Sequence, residues 1–156
     1  MITVDAPGWG KRNIEHIVFD FNGTLAVDGR LIDGVEERLM KLSIKARIYI
    51  CSADYHGTVA DETRRFDLAL KVLKTVDQSM EKAEFIRRLG PMKVAAIGNG
   101  SADAQMLGEA ALGIAVIGPE GACPQTINAA DIVCGDILEA LDLLLAPKRL
   151  AATLQH

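Results

Sequence analysis

Short apolar runs alternate with amphipathic segments along most of the chain. The apolar runs have the length and β-branched content of buried strands, and they cover residues 14–21, 47–51, 68–73, 93–97, 112–117 and 132–133. Segments with apolar residues at helical spacing predict helices over residues 34–43, 56–66, 77–89, 101–110, 121–129 and 136–145. Ser101 is placed to cap its helix. Residues 25–32 hold Asp28-Gly29 between two apolar pairs, which predicts a small hairpin.

Strands that alternate with helices every 20 to 25 residues or so indicate parallel βαβ units. We therefore predict a three-layer, doubly wound α/β fold with a mainly parallel sheet. The length of 156 residues suits one domain. Its core is expected at about residues 14–146, with residues 1–12 and 147–156 as terminal appendages.

Composition narrows the classes of partner. The formal net charge is −4 and aromatic residues make up 4% of the chain, so we expect no nonspecific nucleic-acid binding and no electrostatic attachment to membranes. No apolar stretch approaches the roughly 20 residues of a membrane span. The first residues lack the apolar segment of a signal peptide, which predicts a cytoplasmic protein. The three cysteines lack Cys-x-x-Cys spacing and are interpreted as reduced packing residues.

Polar side chains follow three of the predicted strands, and a lysine lies on the helix before the fourth. Asp20, Ser52 and Asp103 come after strands, and ligands of such sheets bind at the carboxyl ends of strands. With Lys82, this set suits phosphoryl transfer: a carboxylate attacks phosphorus, a cation and a hydroxyl hold phosphate oxygens, and carboxylates hold Mg²⁺. Glycines at positions 23 and 100 would let backbone amides approach the anion.

Four segments resemble, in the same order, the motifs of the haloacid dehalogenase (HAD) superfamily. Asp20-Phe21-Asn22-Gly23-Thr24-Leu25 is similar to the first motif, Asp-x-Asp-x-Thr, and still more to the Asp-Lys-Thr-Gly-Thr of P-type ATPases. Cys51-Ser52-Ala53-Asp54 resembles the Thr-Gly-Asp segment, and Lys82 lies where the superfamily keeps a phosphate-binding lysine. Gly98-Asn99-Gly100-Ser101-Ala102-Asp103 resembles Gly-Asp-Gly-x-Asn-Asp. Stand-alone proteins described as soluble and P-type-ATPase-like are the most similar subgroup.

The resemblance implies a role for each matching residue. Asp20 would form an aspartyl phosphate, while Ser52 and Lys82 hold the phosphoryl oxygens. Mg²⁺ would be bound by the metal-ligand positions of the motifs, which are Asp20, the backbone carbonyl of Asn22, Asn99 and Asp103. Thr24 would support the first loop by hydrogen bonding. The resemblance also makes Phe21, Gly23, Thr24 and Ala53 substrate-binding positions, besides Ser52 and Lys82.

Three positions depart from the motifs. Asn22 replaces the aspartate that protonates the leaving group and activates water in superfamily phosphatases; an amide does neither, and such help is worth about 10²–10⁴-fold in rate. P-type ATPases carry threonine there and keep a persistent phosphoenzyme. Asn99 replaces a carboxylate on the metal, which predicts weaker Mg²⁺ binding, and Ala102 replaces an asparagine.

The expected activity is therefore slow, Mg²⁺-dependent hydrolysis of a phosphorylated small molecule or a nucleotide. The alternative is a regulatory domain that binds phosphate without turnover. Gly98-x-Gly100 also resembles part of a dinucleotide fingerprint, but the charge of Asp103 at the third glycine position disfavours that interpretation. The neighbouring Lys71, Lys74 and Lys93 leave the choice of Lys82 open.

The spacing of the motifs leaves no room for a cap domain. About 30 residues separate Asp20 from Ser52 and Ser52 from Lys82, and the predicted elements use nearly all of them. Capless members of the superfamily cover their sites by oligomerising or by docking a large substrate. The resemblance therefore implies a homo-oligomer or a macromolecular partner.

Overall fold

The computed structural model describes residues 1–53 and 57–156. The strands are β1 (Ile2–Ala6), β2 (Gly10–Ile14), β3 (His16–Phe19), β4 (Ala26–Val27), β5 (Arg30–Leu31), β6 (Arg47–Ser52), β7 (Leu68–Val72), β8 (Val94–Gly98), β9 (Leu112–Val116) and β10 (Ile132–Cys134). The helices are α1 (Val35–Ser43), α2 (Val59–Thr63), α3 (Gln78–Leu89), α4 (Ala104–Glu109), α5 (Pro124–Ala129), α6 (Ile137–Leu145) and α7 (Pro147–Leu154), with 3₁₀ turns at Pro91–Lys93 and Ser101–Asp103. Within the described chain, no helix is both long enough and apolar enough to cross a membrane.

Six parallel strands form the central sheet in the order β10-β9-β8-β3-β6-β7. The chain runs outward from β3 to β6 and β7, and then returns to β8 beside β3 before running outward on the other side. The direction of winding therefore reverses at β3. Ligands of doubly wound sheets bind at such a reversal, outside the carboxyl ends of the strands.

Apolar side chains of the sheet point alternately to two buried clusters, as the two-residue period of a strand requires. In β3, Ile17 and Phe19 join a cluster that includes residues of α1, α6 and α7, whereas Val18 joins one that includes residues of α3 and α4. β6, β7, β8 and β9 divide their side chains similarly, whereas the edge strand β10 buries Ile132 and Cys134 in the first cluster and leaves Val133 exposed. This confirms the predicted three-layer α/β fold.

The expected strand over residues 14–21 is two strands that meet at Glu15. Ile14 ends β2 and pairs with Ile2 in an antiparallel hairpin, whereas His16 begins β3 and pairs in parallel with Arg47 and Val94. The sequence did not show this change of partner, because buried apolar residues lie on both sides of it: Ile14 at the end of β2 and Ile17, Val18 and Phe19 in β3.

The ends of the chain, expected as appendages, are folded and share the main core. β1 and β2 form a hairpin, and α7 packs against β1. Ile2, Val4, Leu150 and Leu154 are buried in the same cluster as the core of the sheet. The expected hairpin at residues 25–32 is present as β4 and β5.

Candidate active site

A cleft of about 280 Å³ lies at the carboxyl end of β3 and β8, where the winding reverses. The amide of Asp20 donates a hydrogen bond to the Ile97 carbonyl oxygen (2.9 Å), which fixes the residue after β3 beside the end of β8. The side chains and backbone that line the cleft are those of Asp20, Asn22, Ser52, Ala53, Gln78, Lys82, Asn99, Gly100, Ser101, Ala102, Asp103 and Glu120. The predicted segments therefore meet at one place.

Lys82 is buried at the base of this cleft between two carboxylates. Its Nζ donates to Asp20 Oδ1 at 2.8 Å and to Asp103 Oδ1 at 2.6 Å. The side chains of Lys82 and Asp103 are 3% and 1% exposed, whereas that of Asp20 is 15% exposed. Asp20 is thus the member of the trio that can reach a ligand in the cleft.

The electrostatics of the trio follow from this burial. Burial and the neighbouring charge of Asp103 raise the pKa of Asp20 to about 6, against the opposing effect of Lys82. Burial alone would lower the pKa of Lys82, but the charges and hydrogen bonds of Asp20 and Asp103 outweigh it and raise that pKa. The ammonium therefore stays charged where a phosphate would meet it.

The ambiguity among the lysines disappears in the structure. Lys71 Nζ binds Glu81 Oε1 (3.1 Å), and Lys93 Nζ binds Glu15 outside the cleft. Lys82 alone among these lines the cleft. Asp77 is the N-cap of α3, and its side chain accepts a hydrogen bond from the Met80 amide (3.0 Å). The cap fixes the start of the helix, and its first turns place Lys82 in the site.

Asp103 organises the loop after β8 instead of facing the cleft with free oxygens. Its Oδ2 accepts from the amides of Asn99 and Gly100, each at 3.0 Å, and its Oδ1 accepts from Lys82. A Cβ on Gly98 would lie 2.5 Å from the Asp103 Cγ, so the absence of a side chain at Gly98 makes this position possible. Ser101 does not cap the helix through its side chain as predicted; the segment begins as a 3₁₀ turn, and Asp103 binds the loop amides.

Thr24 joins the first loop to the loop after β8. Its Oγ1 donates to Asn99 Oδ1 at 3.0 Å and approaches Asp20 Oδ2 at 3.4 Å. Gly23 has a φ of +82°, and a Cβ there would lie 2.5 Å from Asn99 Nδ2. Glycine is required here on both counts, because a side chain would strain the backbone and displace Asn99.

Two amides that we expected to approach an anion donate within the protein. The Gly23 amide binds the Ala26 carbonyl oxygen (2.7 Å), and the Gly100 amide binds Asp103. Phe21 lies in the core, and its carbonyl oxygen accepts from the amides of Thr24, Leu25 and Ala26. These contacts shape the first loop; Phe21 contributes no side chain to the cleft.

Ser52 and Ala53 line the cleft at the end of β6, with Ser52 buried. Asp54, which belongs to the same predicted motif, lies outside the described residues. Gln78 and Glu120 also line the cleft, although the sequence analysis did not single them out. Gln78 could have been found from its position one turn before Lys82 on the predicted helix, whereas a lone glutamate after the fifth strand carries no comparable signal.

Oxygen atoms available to a hard cation lie on one side of the cleft. Asn22 Oδ1 is buried without a hydrogen-bond partner among the described residues, and Asp20 Oδ2 makes a long contact of 3.4 Å with Thr24 Oγ1. No cluster of three His, Cys, Asp or Glu residues suited to a metal occurs among residues 1–53 and 57–156. Mg²⁺ is often bound by only one or two carboxylates besides substrate oxygens and water. The orphaned Asn22 oxygen, with Asp20 and Asn99, therefore fits such an ion.

Sequence comparison finds no matching family model. Two proteins of Methanocaldococcus jannaschii are similar to parts of the chain. The uncharacterized protein MJ0073 is 57% identical over 61 residues, which are 39% of this chain and 66% of that protein. The uncharacterized protein MJ0072 is 55% identical over 38 residues, which are 24% of this chain and 86% of that protein.

Solved structures cover nearly the whole chain. A proposed HAD-superfamily hydrolase (subfamily III A) from Legionella pneumophila has a TM-score of 0.66 and 20% identity, covering 90% of this chain and 87% of its own. The 3-deoxy-D-manno-octulosonate 8-phosphate phosphatase from Moraxella catarrhalis, solved with magnesium, phosphate and its sugar, has a TM-score of 0.65 and 22% identity over 89% and 90%. The cobalt-bound octulosonate 8-phosphate phosphatase from Haemophilus influenzae has a TM-score of 0.64 and 17% identity over 90% and 92%. At these identities the likeness shows a shared fold.

Proposed function

We propose that this chain, which has the fold of the haloacid dehalogenase superfamily, hydrolyses phosphomonoesters through a phosphoryl group carried on Asp20. The observation that carries the proposal is the contact of Lys82 with both Asp20 and Asp103 at the base of the cleft. A carboxylate held beside a buried ammonium, at the carboxyl end of the central strand, can act as a nucleophile toward an anion that the ammonium attracts.

In the first step a carboxylate oxygen of Asp20 attacks phosphorus. The bond from phosphorus to the leaving oxygen breaks, and the electron pair departs with that oxygen. Lys82 neutralises charge on the phosphoryl oxygens. Ser52, the last residue of β6, lines the cleft and hydrogen-bonds one of these oxygens. Asp103 holds Lys82 in place through Oδ1, because its Oδ2 is committed to two backbone amides.

When bound, Mg²⁺ supplies positive charge that screens the phosphate oxygens from the nucleophile. We assign its protein ligands to Asp20, the oxygens of Asn22 and the side chain of Asn99. Asp103 was expected as a further ligand, but its hydrogen bonds assign it to Lys82 and the loop amides. With a single carboxylate in the set, weak Mg²⁺ binding is expected.

In the second step water hydrolyses the acyl phosphate and regenerates Asp20. Asn22 can neither give nor take a proton, so this step is slow unless another group assists it. The similarity of residues 20–25 to the phosphorylation motif of P-type ATPases supports a phosphoenzyme that persists. The substrate class is a phosphorylated small molecule or a nucleotide, the former being what the octulosonate 8-phosphate phosphatases act on.

Phosphate release from an aryl phosphate and from ATP, measured with and without divalent metals, tests the proposal. Slow, metal-dependent release that Asp20→Asn abolishes is expected. Asn22→Asp should accelerate it, because a carboxylate is restored at the acid/base position. Release by Asp20→Asn at the wild-type rate, or no release by wild-type protein in any metal, would contradict the proposal.

A second candidate function is phosphate binding without turnover, and the amide at Asn22 favours it. Calorimetric titration with beryllofluoride separates the two functions, since this phosphoryl mimic binds the nucleophilic carboxylate together with Mg²⁺. Metal-dependent binding that is lost in Asp20→Asn supports hydrolysis. Binding of phosphate itself without metal, and no binding of beryllofluoride, supports the regulatory function.

A further inference from the structure

One carboxylate in the cleft comes from none of the four motifs. The titratable side chains that line the described part of the cleft are those of Asp20, Lys82, Asp103 and Glu120. Lys82 binds both Asp20 and Asp103. Glu120 is exposed, and its carboxylate has no hydrogen bond or ion pair with another described residue.

Glu120 stands on a turn that is fixed to the catalytic loops. The Gly121 amide donates to the Gly118 carbonyl oxygen at 2.9 Å, which closes the turn around Pro119 and Glu120. Asn99 Nδ2 donates to the Gly121 carbonyl oxygen at 3.1 Å, and the Cys123 amide donates to the Asn99 carbonyl oxygen at 2.8 Å. Glu120 is thus anchored through Asn99.

The turn lies on the Asn22 side of the cleft. A Cβ on Gly118 would be 3.4 Å from the carbonyl oxygen of Gly23, which follows Asn22. Asn99 also bridges the two loops, because its side chain contacts Thr24 and Gly121. Glu120 therefore lies in the wall of the cleft on the side of Asn22, the position at which superfamily phosphatases carry the acid/base aspartate.

Neither of the other carboxylates can activate water in the second step. Asp20 carries the phosphoryl group at that stage, and Asp103 is 1% exposed with hydrogen bonds to three donors. The Asn22 amide has no basic lone pair at neutral pH. Glu120 is the one exposed carboxylate among the described residues of the cleft.

We propose that Glu120 is the general base for hydrolysis of the phosphoenzyme, an inference that rests on the proposed function. A water molecule attacks phosphorus and gives its proton to the Glu120 carboxylate. The new phosphorus–oxygen bond forms as the bond to the Asp20 oxygen breaks, and its electron pair returns to the Asp20 carboxylate. Inorganic phosphate leaves, and Glu120 releases the proton to solvent.

Decay of the phosphoenzyme measures this step alone. Full-length protein is phosphorylated with radiolabelled acetyl phosphate and Mg²⁺, chased with unlabelled donor, and quenched in acid at intervals. Glu120→Gln keeps the size of the side chain and removes its basicity. It should slow decay by about 10²–10⁴-fold, the usual worth of a general base, while the label incorporated in the first turnover stays as in wild type.

Two further variants separate chemistry from charge and from structure. Glu84→Gln removes an exposed carboxylate from α3 outside the cleft and should leave the decay rate unchanged. In the double variant Asn22→Asp/Glu120→Gln, the aspartate supplies a base on the same side of the cleft and should restore decay to at least the wild-type rate. Such rescue would show that the Glu120→Gln protein keeps a site able to hydrolyse its phosphoenzyme, so that its slow decay comes from the missing base and not from a damaged turn.

The outcomes distinguish the two proposals. A Glu120→Gln phosphoenzyme that forms and decays at the wild-type rate overturns the role of Glu120 and leaves the proposed function standing. Equal slowing in Glu84→Gln, or slow decay in the double variant, also overturns it. If neither wild type nor Glu120→Gln incorporates label, both the proposed function and the role of Glu120 are wrong.

Discussion

A buried ammonium between two carboxylates places three charges in a region that water barely reaches. Such a cluster is stable only when every member is paired, because each charge loses its hydration on burial. Lys82 satisfies both acids, and Asp103 is completed by the amides of Asn99 and Gly100. The site is therefore preorganised by the same contacts that make it vulnerable to substitution.

Lys82→Met should destabilise the protein by about 3–5 kcal/mol, since it leaves Asp20 and Asp103 unpaired and mutually repulsive. Lys93→Met is the matched control: Lys93 is 55% exposed in its pair with Glu15, and an exposed pair is worth at most about 1 kcal/mol. Urea denaturation of both variants measures the difference. Equal losses would mean that the buried trio does not hold the site together.

Substitution by alanine should be costly at Gly98, the last residue of β8, and nearly neutral at Gly100 in the loop that follows. Gly98→Ala places a Cβ 2.5 Å from Asp103 and should cost about 1–3 kcal/mol and impair phosphate release. Gly100→Ala meets only Asp103 Oδ2 at 3.7 Å, an ordinary contact, and should be nearly neutral. Activity and thermal melting of the two proteins check this, and loss of activity in Gly100→Ala alone would contradict the packing described.

The sequence was informative about residues whose neighbours form motifs and silent about the others. Asp20, Ser52, Lys82 and Asp103 follow from the order of four segments along predicted strands, and the structure places them together; their chemical roles stay predictions. The steric need for Gly98 and the position of Glu120 depend on contacts between distant loops. No local pattern encodes those contacts.

At the scale of elements, the sheet was predictable because its strands are short apolar runs separated by amphipathic helices. Errors occur where tertiary contacts override the local pattern. The helix expected over residues 101–110 starts as the 3₁₀ turn Ser101–Asp103 because Asp103 binds the amides before it. The expected helix over residues 121–129 is shortened to Pro124–Ala129, since the Gly118–Gly121 turn precedes it.

Glu81 fixes the loop that leads into α3. Its carboxylate accepts from the amides of Lys74 and Thr75 and from the side chains of Lys71 and Thr75. Hydrogen bonds from the Thr75 and Lys74 amides stabilise the carboxylate form and are the main reason that the pKa of Glu81 is lowered to about 2. The residue adjoins Lys82, so the loop and the site are positioned together.

Glu81→Gln should lower the free energy of unfolding at neutral pH, and its deficit relative to wild type should shrink on acidification. A folded-state pKa below the unfolded one contributes stability that is complete above about pH 4.5 and is lost as the pH falls toward 2. Urea titrations across this range check the trend, with Glu84→Gln as the exposed control. A deficit that is constant with pH would show that the charge of Glu81 is not what holds the loop.

At the scale of the whole molecule, residues near both ends close one side of the core. β1 and α7 bring Ile2, Val4, Leu150 and Leu154 into the cluster that also lines the sheet. Local patterns could not show this, because a five-residue strand and an eight-residue helix acquire their positions from each other. Within the described residues no separate domain stands over the cleft; covering by a second copy and a cytoplasmic location stay predictions.

Leu150→Ala should destabilise the protein by about 2–5 kcal/mol, because Leu150 is fully buried and its truncation leaves a cavity. Thr153→Ala, on the exposed part of the same helix, should change stability little. Chemical denaturation distinguishes the two. If both variants were as stable as wild type, α7 would be an appendage, as the sequence first suggested.

The identity of the residue that accepts the phosphoryl group tests the central claim most directly. Wild-type protein and Asp20→Asn are incubated with radiolabelled acetyl phosphate and Mg²⁺, quenched in acid, and digested for peptide mapping. The account predicts one hydroxylamine-labile phosphoryl group, on the peptide that contains Asp20, and none on the variant. Label on any other residue, or on Asp20→Asn as much as on wild type, would contradict it.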